Sequence, residues 1–144
     1  MDAPIDNDNS QNFIAYISTI QSVIDRVANN SAAIKTWCIT LTTGILALAL
    51  GNFTKTNVSL IALIPAGMFW VLDAYYLALE RCFRTIYNDV VNKFNCGDLS
   101  RSELFIIKPS VTFKLVLKAC VSWSVFIFYL ALIVIIVSVK ILAR

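Results

Sequence analysis

The chain has 144 residues, of which 58% are hydrophobic and only 15% are charged, and its mean hydropathy is +0.74. Water-soluble domains are typically about 45–50% apolar and about 25% charged, so this composition excludes a sizeable soluble domain. The chain contains no histidine, which removes the commonest catalytic base and metal ligand. We therefore expect a non-enzymatic protein without a cofactor or metal site. The mild net charge of +3 gives no indication of direct nucleic-acid binding.

The N-terminal region combines a polar lead with a predicted amphipathic helix. Residues 1–10 carry Asp2, Asp6 and Asp8 and are expected to be disordered. A helix is expected to begin after Asn9 or Ser10, since either side chain can cap a helix N-terminus. Apolar residues then recur at alternating steps of four and three, which predicts a heptad-like seam: Phe13, Ile17, Ile20, Ile24 and Val27.

This seam is the candidate assembly face, and its partner is left open by the sequence. The helix either lies in the lipid interface or packs on a partner, which is another part of this chain or a second copy. Only Asp25 and Arg26 are charged here, whereas an interfacial helix usually has a Lys/Arg-rich polar face, so packing is favoured. The segment Asn29-Asn30-Ser31 interrupts the apolar face and predicts a kink or a new cap. Beyond it the seam is expected to continue towards the membrane, in this order: Ile34, Cys38, Leu41, Ile45 and Leu48.

Three apolar blocks are each long enough to cross a hydrocarbon core of about 30 Å, which takes about 20 helical residues. The predicted spans cover residues 32–53, 59–80 and 115–139, within a single all-α membrane domain at 11–144. A short polar turn at 51–57 makes the first two spans an antiparallel hairpin. Pro65 lies in the first turns of the second span and is a candidate kink.

The second span is predicted to continue beyond the membrane as a cytoplasmic helix. An apolar face persists after Glu80 through Phe83, Ile86 and Val90. Gly97 is predicted to end the helix as a left-handed C-cap. The segment Ser100–Glu103 has capping-box spacing, which predicts a short helix before the break at Lys108-Pro109.

The distribution of lysine and arginine predicts the orientation, because these residues favour the cytoplasmic side of short loops. With the N-terminus inside, nine of the twelve basic residues are cytoplasmic: Arg26, Lys35, Arg81, Arg84, Lys93, Arg101, Lys108, Lys114 and Lys118. The opposite orientation reverses that ratio. We therefore expect a multi-pass membrane protein with a cytoplasmic N-terminus and an external C-terminus.

Asp73 is the most informative single residue, because it lies inside the second apolar block. A carboxylate at the bilayer centre costs about 2.5–3.5 kcal/mol on insertion scales and usually has a partner. In the predicted hairpin Lys35 lies at about the depth of Tyr75, so a Lys35–Asp73 ion pair is expected. Asp73 is then either a structural carboxylate or one that lines or gates a pore. The candidate polar or pore residues are Asp73, Lys35, Tyr76, Glu80 and Arg84; Glu80 and Arg84 are also spaced for a helix ion pair.

The stretch from Phe69 to Tyr87 has the pattern FW-x-LDAYYL-x-x-ER-x-FR-x-x-Y. It resembles the end of the membrane hairpin in small bacterial SLATT-like membrane effectors associated with antiphage defence. The resemblance implies a homo-oligomeric effector that stays quiet until an infection signal and then permeabilises or depolarises the inner membrane. We expect no sensing domain in this chain, so a cytoplasmic regulatory partner protein or a ligand is expected to switch it. The alternatives are a non-enzymatic membrane anchor or small subunit that recruits a cytoplasmic complex, and a constitutive channel or transporter subunit.

Overall fold

A computed structural model describes residues 7–50, 58–98 and 107–142. These residues form helices and connections without a strand: α1 (Asn7–Leu50), α2 (Val58–Ile61), α3 (Leu63–Cys96), α4 (Phe113–Cys120) and α5 (Trp123–Leu142). The all-α prediction is confirmed for this part of the chain. Helix α1 begins at Asn7, inside the predicted 1–10 lead, so the expected helix start after Asn9 or Ser10 is wrong. Residues 1–6 of that lead, the turn 51–57 and the capping-box segment 100–103 lie outside the described residues.

Helices α1 and α3 form a long antiparallel pair. With 44 and 34 residues and a rise of 1.5 Å per residue, they extend for about 66 Å and about 51 Å. Phe13 stacks on Phe94 at one end, with ring centroids 3.8 Å apart, while Leu46 and Ala66 share a core cluster at the other. Helix α1 continues through the Asn29-Asn30-Ser31 segment, so the predicted new cap is wrong.

Helix α5 packs on the first half of α3 and runs antiparallel to it. The Trp70 ring stacks on Tyr129 at a centroid distance of 5.9 Å, while Arg81 Nη2 donates to Ser122 Oγ at 2.7 Å, just before α5 begins. Since α3 is antiparallel to both α1 and α5, those two helices run in the same direction. The cluster that joins all three is apolar and fully or nearly buried: Cys38, Leu46, Ala62, Ala66, Val125, Tyr129, Leu132 and Ile136.

The predicted N-terminal seam is covered within the chain by α3. Ile20, Ile24 and Val27 are buried, Phe13 and Ile17 are half-buried, and the main partner surface is Phe83 with its half-buried neighbours Ile86, Tyr87 and Val90. The structure therefore fits the interpretation in which another part of this chain is the partner. The candidate assembly face is occupied in the folded protomer.

The continuation of this seam departs from the prediction. Leu41 and Leu48 are 46% and 61% exposed, whereas Thr42 and Leu46 are buried. A strict heptad pattern drifts by about 20° per repeat on a straight helix of 3.6 residues per turn. Over the length of α1 this drift turns the predicted seam away from the buried face. The buried residues after Ile34 are instead spaced four apart, at Cys38, Thr42 and Leu46.

Two helix boundaries follow from single residues. Pro65 has no N–H to donate to the carbonyl of Ile61, four residues earlier, which interrupts the helical hydrogen bonds at Ala62, between α2 and α3, while the Ala62 backbone stays helical at φ −63° and ψ −18°. Gly97 ends α3 in the left-handed conformation, with φ 74° and ψ 11°. Asp98 N–H then donates to Lys93 O at 3.0 Å, so the predicted glycine cap is confirmed.

Among the described residues, two helices rather than three are long and apolar enough to cross a membrane, at Gln11–Ala49 and Trp123–Ile141. In each, only 22% of the apolar window is buried, whereas the core helix of a soluble protein is mostly buried. The predicted second span is interrupted at Ala62, before α3 begins, and it carries Asp73 and Glu80, which lower its apolar character. The helix of the predicted third span begins at Trp123 rather than at residue 115, because Val121 and Ser122 are not helical.

Candidate functional site

The residue of greatest interest is Asp73, whose carboxylate is fully buried between α1 and α3. Lys35 Nζ lies 2.8 Å from its Oδ1 and 2.7 Å from its Oδ2. Ser31 Oγ donates a hydrogen bond to the same Oδ1 and accepts one from Lys35 Nζ at 3.0 Å. The structure thus brings together the two charges that the hairpin geometry predicts. Ser31 completes a closed set of three side chains.

Helix periodicity places Ser31 and Lys35 on the same face of α1. They are four residues apart and are therefore neighbours on its surface. The antiparallel α3 presents Asp73 at the same level. The sequence reasoning missed Ser31, which it assigned to a helix interruption, although its spacing to Lys35 was a usable signal.

Helix α5 closes the third side of the site. Lys35 Nζ lies 6.0 Å from the centroid of the Phe128 ring, within the range of a cation–π contact. Asp73 is also close enough to Cys38 and Tyr129 to interact with both electrostatically. The ion pair therefore joins all three long helices of the described structure.

Further polar atoms lie inside the same bundle. Tyr129 Oη is buried and has no hydrogen-bond partner among the described residues. Thr42 Oγ1 is buried next to the Cys38 thiol, its side-chain partner, and Asp73 Oδ2 meets the Lys35 ammonium as an ion contact. An unpartnered buried polar group costs about 1–3 kcal/mol, so Tyr129 Oη needs an explanation beyond packing. We call this set the polar column: Ser31, Lys35, Thr42, Asp73 and Tyr129.

The other predicted site residues lie apart from the polar column. Arg84 Nε and Glu80 Oε1 form the expected pair at 2.8 Å, but the Arg84 side chain is 62% exposed, and such a pair contributes only about 0.3–0.5 kcal/mol. Tyr76 is half-buried and packs edge-on against Tyr75 at 6.0 Å. The partners of Asp73 are Ser31 and Lys35 rather than a tyrosine hydroxyl.

A polar groove of about 470 Å³ lies between α1 and α3, on the opposite side of the ion pair from α2. Its volume is in the range of small-molecule sites, about 300–1,000 Å³. Gln21 Nε2 and Tyr87 Oη are 3.4 Å apart across it. The lining combines one acid, one base and amides: Gln21, Ile24, Asp25, Arg84, Tyr87 and Asn88.

Within the described ranges, no three His, Cys, Asp or Glu side chains are grouped closely enough to hold a metal ion. The four cysteines are free thiols. Cys82 Sγ donates to Ser110 O at 3.4 Å and so joins the segment before α4 to α3. Cys38 is buried, whereas Cys96 is exposed.

Comparison of the chain with known protein families, curated proteins and solved structures gives no match.

Proposed function

We propose that this chain is a three-span membrane effector that is closed in the form described here and permeabilises the membrane when its interior ion pair opens. The observation that carries this proposal is the polar column inside an otherwise apolar bundle. A purely structural anchor could fill the same interior with apolar side chains at lower cost. Buried charges within membrane segments usually mark functional positions.

The exposed surface supports membrane placement. Apart from Ile14, every large apolar side chain that is exposed in the described structure lies at 37–48, 61–75 or 113–141. The exposed threonines Thr36, Thr40 and Thr43 bind their own helix carbonyls at 2.8–3.2 Å, which satisfies their hydroxyls without water. The exposed ends of α1 and α3 are polar instead, with Asp25, Arg26, Arg84 and Asp89.

Helix direction supports a second crossing, although α3 is less apolar than the other two helices. Helices α1 and α5 run in the same direction, so a chain that crosses through both must return once between them. The first part of α3 is the long helix available for that return in the described structure. The pairing of Asp73 with Lys35 offsets part of the cost of carrying a carboxylate there. With the basic residues on the cytoplasmic side, the N-terminus is inside and the C-terminus outside.

The closed form explains how such a protein leaves the membrane sealed until it is triggered. The three-helix cluster around Cys38 and Tyr129 fills the space between the spans, and the ion pair fixes α1 against α3. If the pair separates, each charged group favours water over the bundle interior. A water-filled path lined by the polar column is then the lower-energy arrangement. We name Lys35–Asp73 the latch.

A single three-helix protomer is too thin to enclose a wide path, so we propose that copies assemble. The N-terminal seam is already covered by α3, so the copies meet through surfaces other than that seam. A cytoplasmic partner acting on the exposed ends of α1 and α3 would provide the trigger. The resemblance at Phe69–Tyr87 is consistent with this role, in antiphage defence at the bacterial inner membrane.

A second candidate, a membrane anchor that recruits a cytoplasmic complex, is favoured by the polar groove. Its lining residues Gln21, Asp25 and Arg84 lie where α1 and α3 extend beyond the exposed apolar segments 37–48 and 61–75. This role needs no opening of the latch. The two candidates therefore differ in what happens when the latch is broken.

The test is to express the Lys35→Gln variant in bacteria and to follow membrane potential with a voltage-sensitive dye. We expect depolarisation and growth arrest, because the variant leaves Asp73 without its cation. Arg84→Gln is the matched control, since it also removes one cation from an ion pair, but from an exposed pair on α3 outside the polar column, and it should behave like the unmodified protein. If Lys35→Gln reaches the membrane at normal levels and the potential stays unchanged, the latch proposal fails and the anchor role takes its place. Should Lys35→Gln be degraded, Asp73→Asn also removes the ion pair, and a smaller depolarisation is expected because its lysine is partly exposed and can reach solvent.

A further inference from the structure

Helix α4 (Phe113–Cys120) divides its surface into three stripes. One stripe packs on α3, where the fully buried Ala119 meets Ala74 and Ala78, flanked by the half-buried Leu115 and Val116. Small residues on both sides allow the two helix backbones to approach closely. The position of α4 against α3 is therefore fixed by packing, and its other two stripes face away from the protein.

The second stripe is apolar and exposed. Phe113, Leu117 and Val121 follow each other in steps of four and are 74%, 50% and 74% exposed. Trp123, at the start of α5, is 81% exposed. A cluster of large exposed apolar side chains is unfavourable in water and typical of a surface that contacts another apolar phase.

The third stripe is basic and lies beside the apolar one. Lys114 and Lys118 are exposed, are also four residues apart, and each follows a member of the apolar stripe directly. Neither lysine belongs to an ion pair in the described structure, and the described residues from Ile107 to Ser122 include no acidic side chain. The positive charge of α4 is thus left uncompensated by the described residues.

We propose that α4 lies in the membrane interface and binds the headgroups of anionic phospholipids. Lys114 and Lys118 contact the phosphates, while Phe113, Leu117 and Val121 enter the boundary with the acyl chains. Helices with a basic face and an apolar face bind in this way, and anionic lipids are concentrated in the cytoplasmic leaflet. The place of α4 fits that leaflet, because it directly precedes α5 at the end that the basic residues assign to the cytoplasm. This inference depends on the membrane placement of the chain and is independent of permeabilisation.

The test is native mass spectrometry of the full-length protein, purified in a neutral detergent and mixed with equal amounts of phosphatidylglycerol and phosphatidylcholine. We expect preferential retention of phosphatidylglycerol. A surface lysine near an anionic leaflet contributes about fivefold in affinity. Each of Lys114→Gln and Lys118→Gln should therefore weaken phosphatidylglycerol binding about fivefold, and the double variant about 30-fold.

Two further variants separate this site from general charge effects. The double variant Arg26→Gln with Lys140→Gln removes the same charge elsewhere and should keep the preference for phosphatidylglycerol. Lys114→Arg with Lys118→Arg should keep it as well, which shows that the helix still folds when these positions are changed. Equal retention of both lipids by the unmodified protein would overturn the proposal. So would an unchanged preference in the Lys114→Gln/Lys118→Gln variant, or complete displacement of the lipid by inorganic phosphate, which would mark a site for free anions.

Discussion

Removal of one partner of the latch tests the role of the ion pair in stability. In Lys35→Met, the fully buried Asp73 keeps its charge but loses its cation. Breaking a buried pair in this way costs about 3–5 kcal/mol, because a charge is left uncompensated. Asp73→Asn should cost less, about 1–2 kcal/mol, since the remaining Lys35 side chain is 24% exposed and its ammonium can reach solvent. The neutral amide can also still accept from Ser31.

The double variant Lys35→Met/Asp73→Asn removes both charges and should recover much of the loss. Replacement of a buried pair by neutral groups is often close to neutral in stability. The expected coupling is therefore about 2–3 kcal/mol, which we would measure by denaturant titration of the purified proteins, followed by circular dichroism. If the two single losses add up to that of the double variant, the side chains are not coupled, and the latch is not a stabilising contact.

Three further predictions follow from the fold. Reporter fusions at Asn9, Asn57, Gly97 and Arg144 should report inside, outside, inside and outside, respectively. A cytoplasmic signal at Arg144 would contradict three crossings. Ile20→Ala should lower the free energy of unfolding by about 2–4 kcal/mol, because Ile20 is fully buried. The control Ser18→Ala, at an exposed position, should change it little. Equal effects of the two variants in the same denaturant titration would contradict the α1–α3 contact. Gly97→Ala should cost about 1 kcal/mol through its positive φ alone, since a Cβ there meets no atom within 4 Å, while Gly44→Ala, equally uncrowded but helical, should be neutral or stabilising.

The sequence predicted the helices and the ion pair well because both depend on local periodicity and on hairpin geometry. Apolar spacing places Ile20, Ile24 and Val27 on a buried face, and a central turn brings Lys35 opposite Asp73. Gly97 ends α3 because a residue without Cβ adopts the left-handed conformation at no steric cost. These features need little knowledge of the rest of the molecule.

Other features depend on tertiary contacts and were therefore missed. The break between α4 and α5 has neither glycine nor proline, and Ser122 is instead held by Arg81 from α3. Ser31 reads as a helix interruption in the sequence, and its role is apparent only when Asp73 lies opposite. The seam beyond Ile34 was assigned by a fixed heptad step, although a long straight helix drifts away from that step.

The proposed function requires that this chain alone permeabilises a bilayer when the latch is broken, which can be measured as dye release from vesicles. Purified protein would be reconstituted into phosphatidylcholine–phosphatidylglycerol vesicles loaded with a self-quenching dye. The unmodified protein should retain the dye and Lys35→Gln should release it, with a rate that rises more steeply than linearly with protein density because copies must assemble. The reversed pair, Lys35→Asp with Asp73→Lys, should return the vesicles towards the sealed state. If vesicles with fully inserted Lys35→Gln stay intact at every protein density, breaking the latch does not permeabilise the membrane.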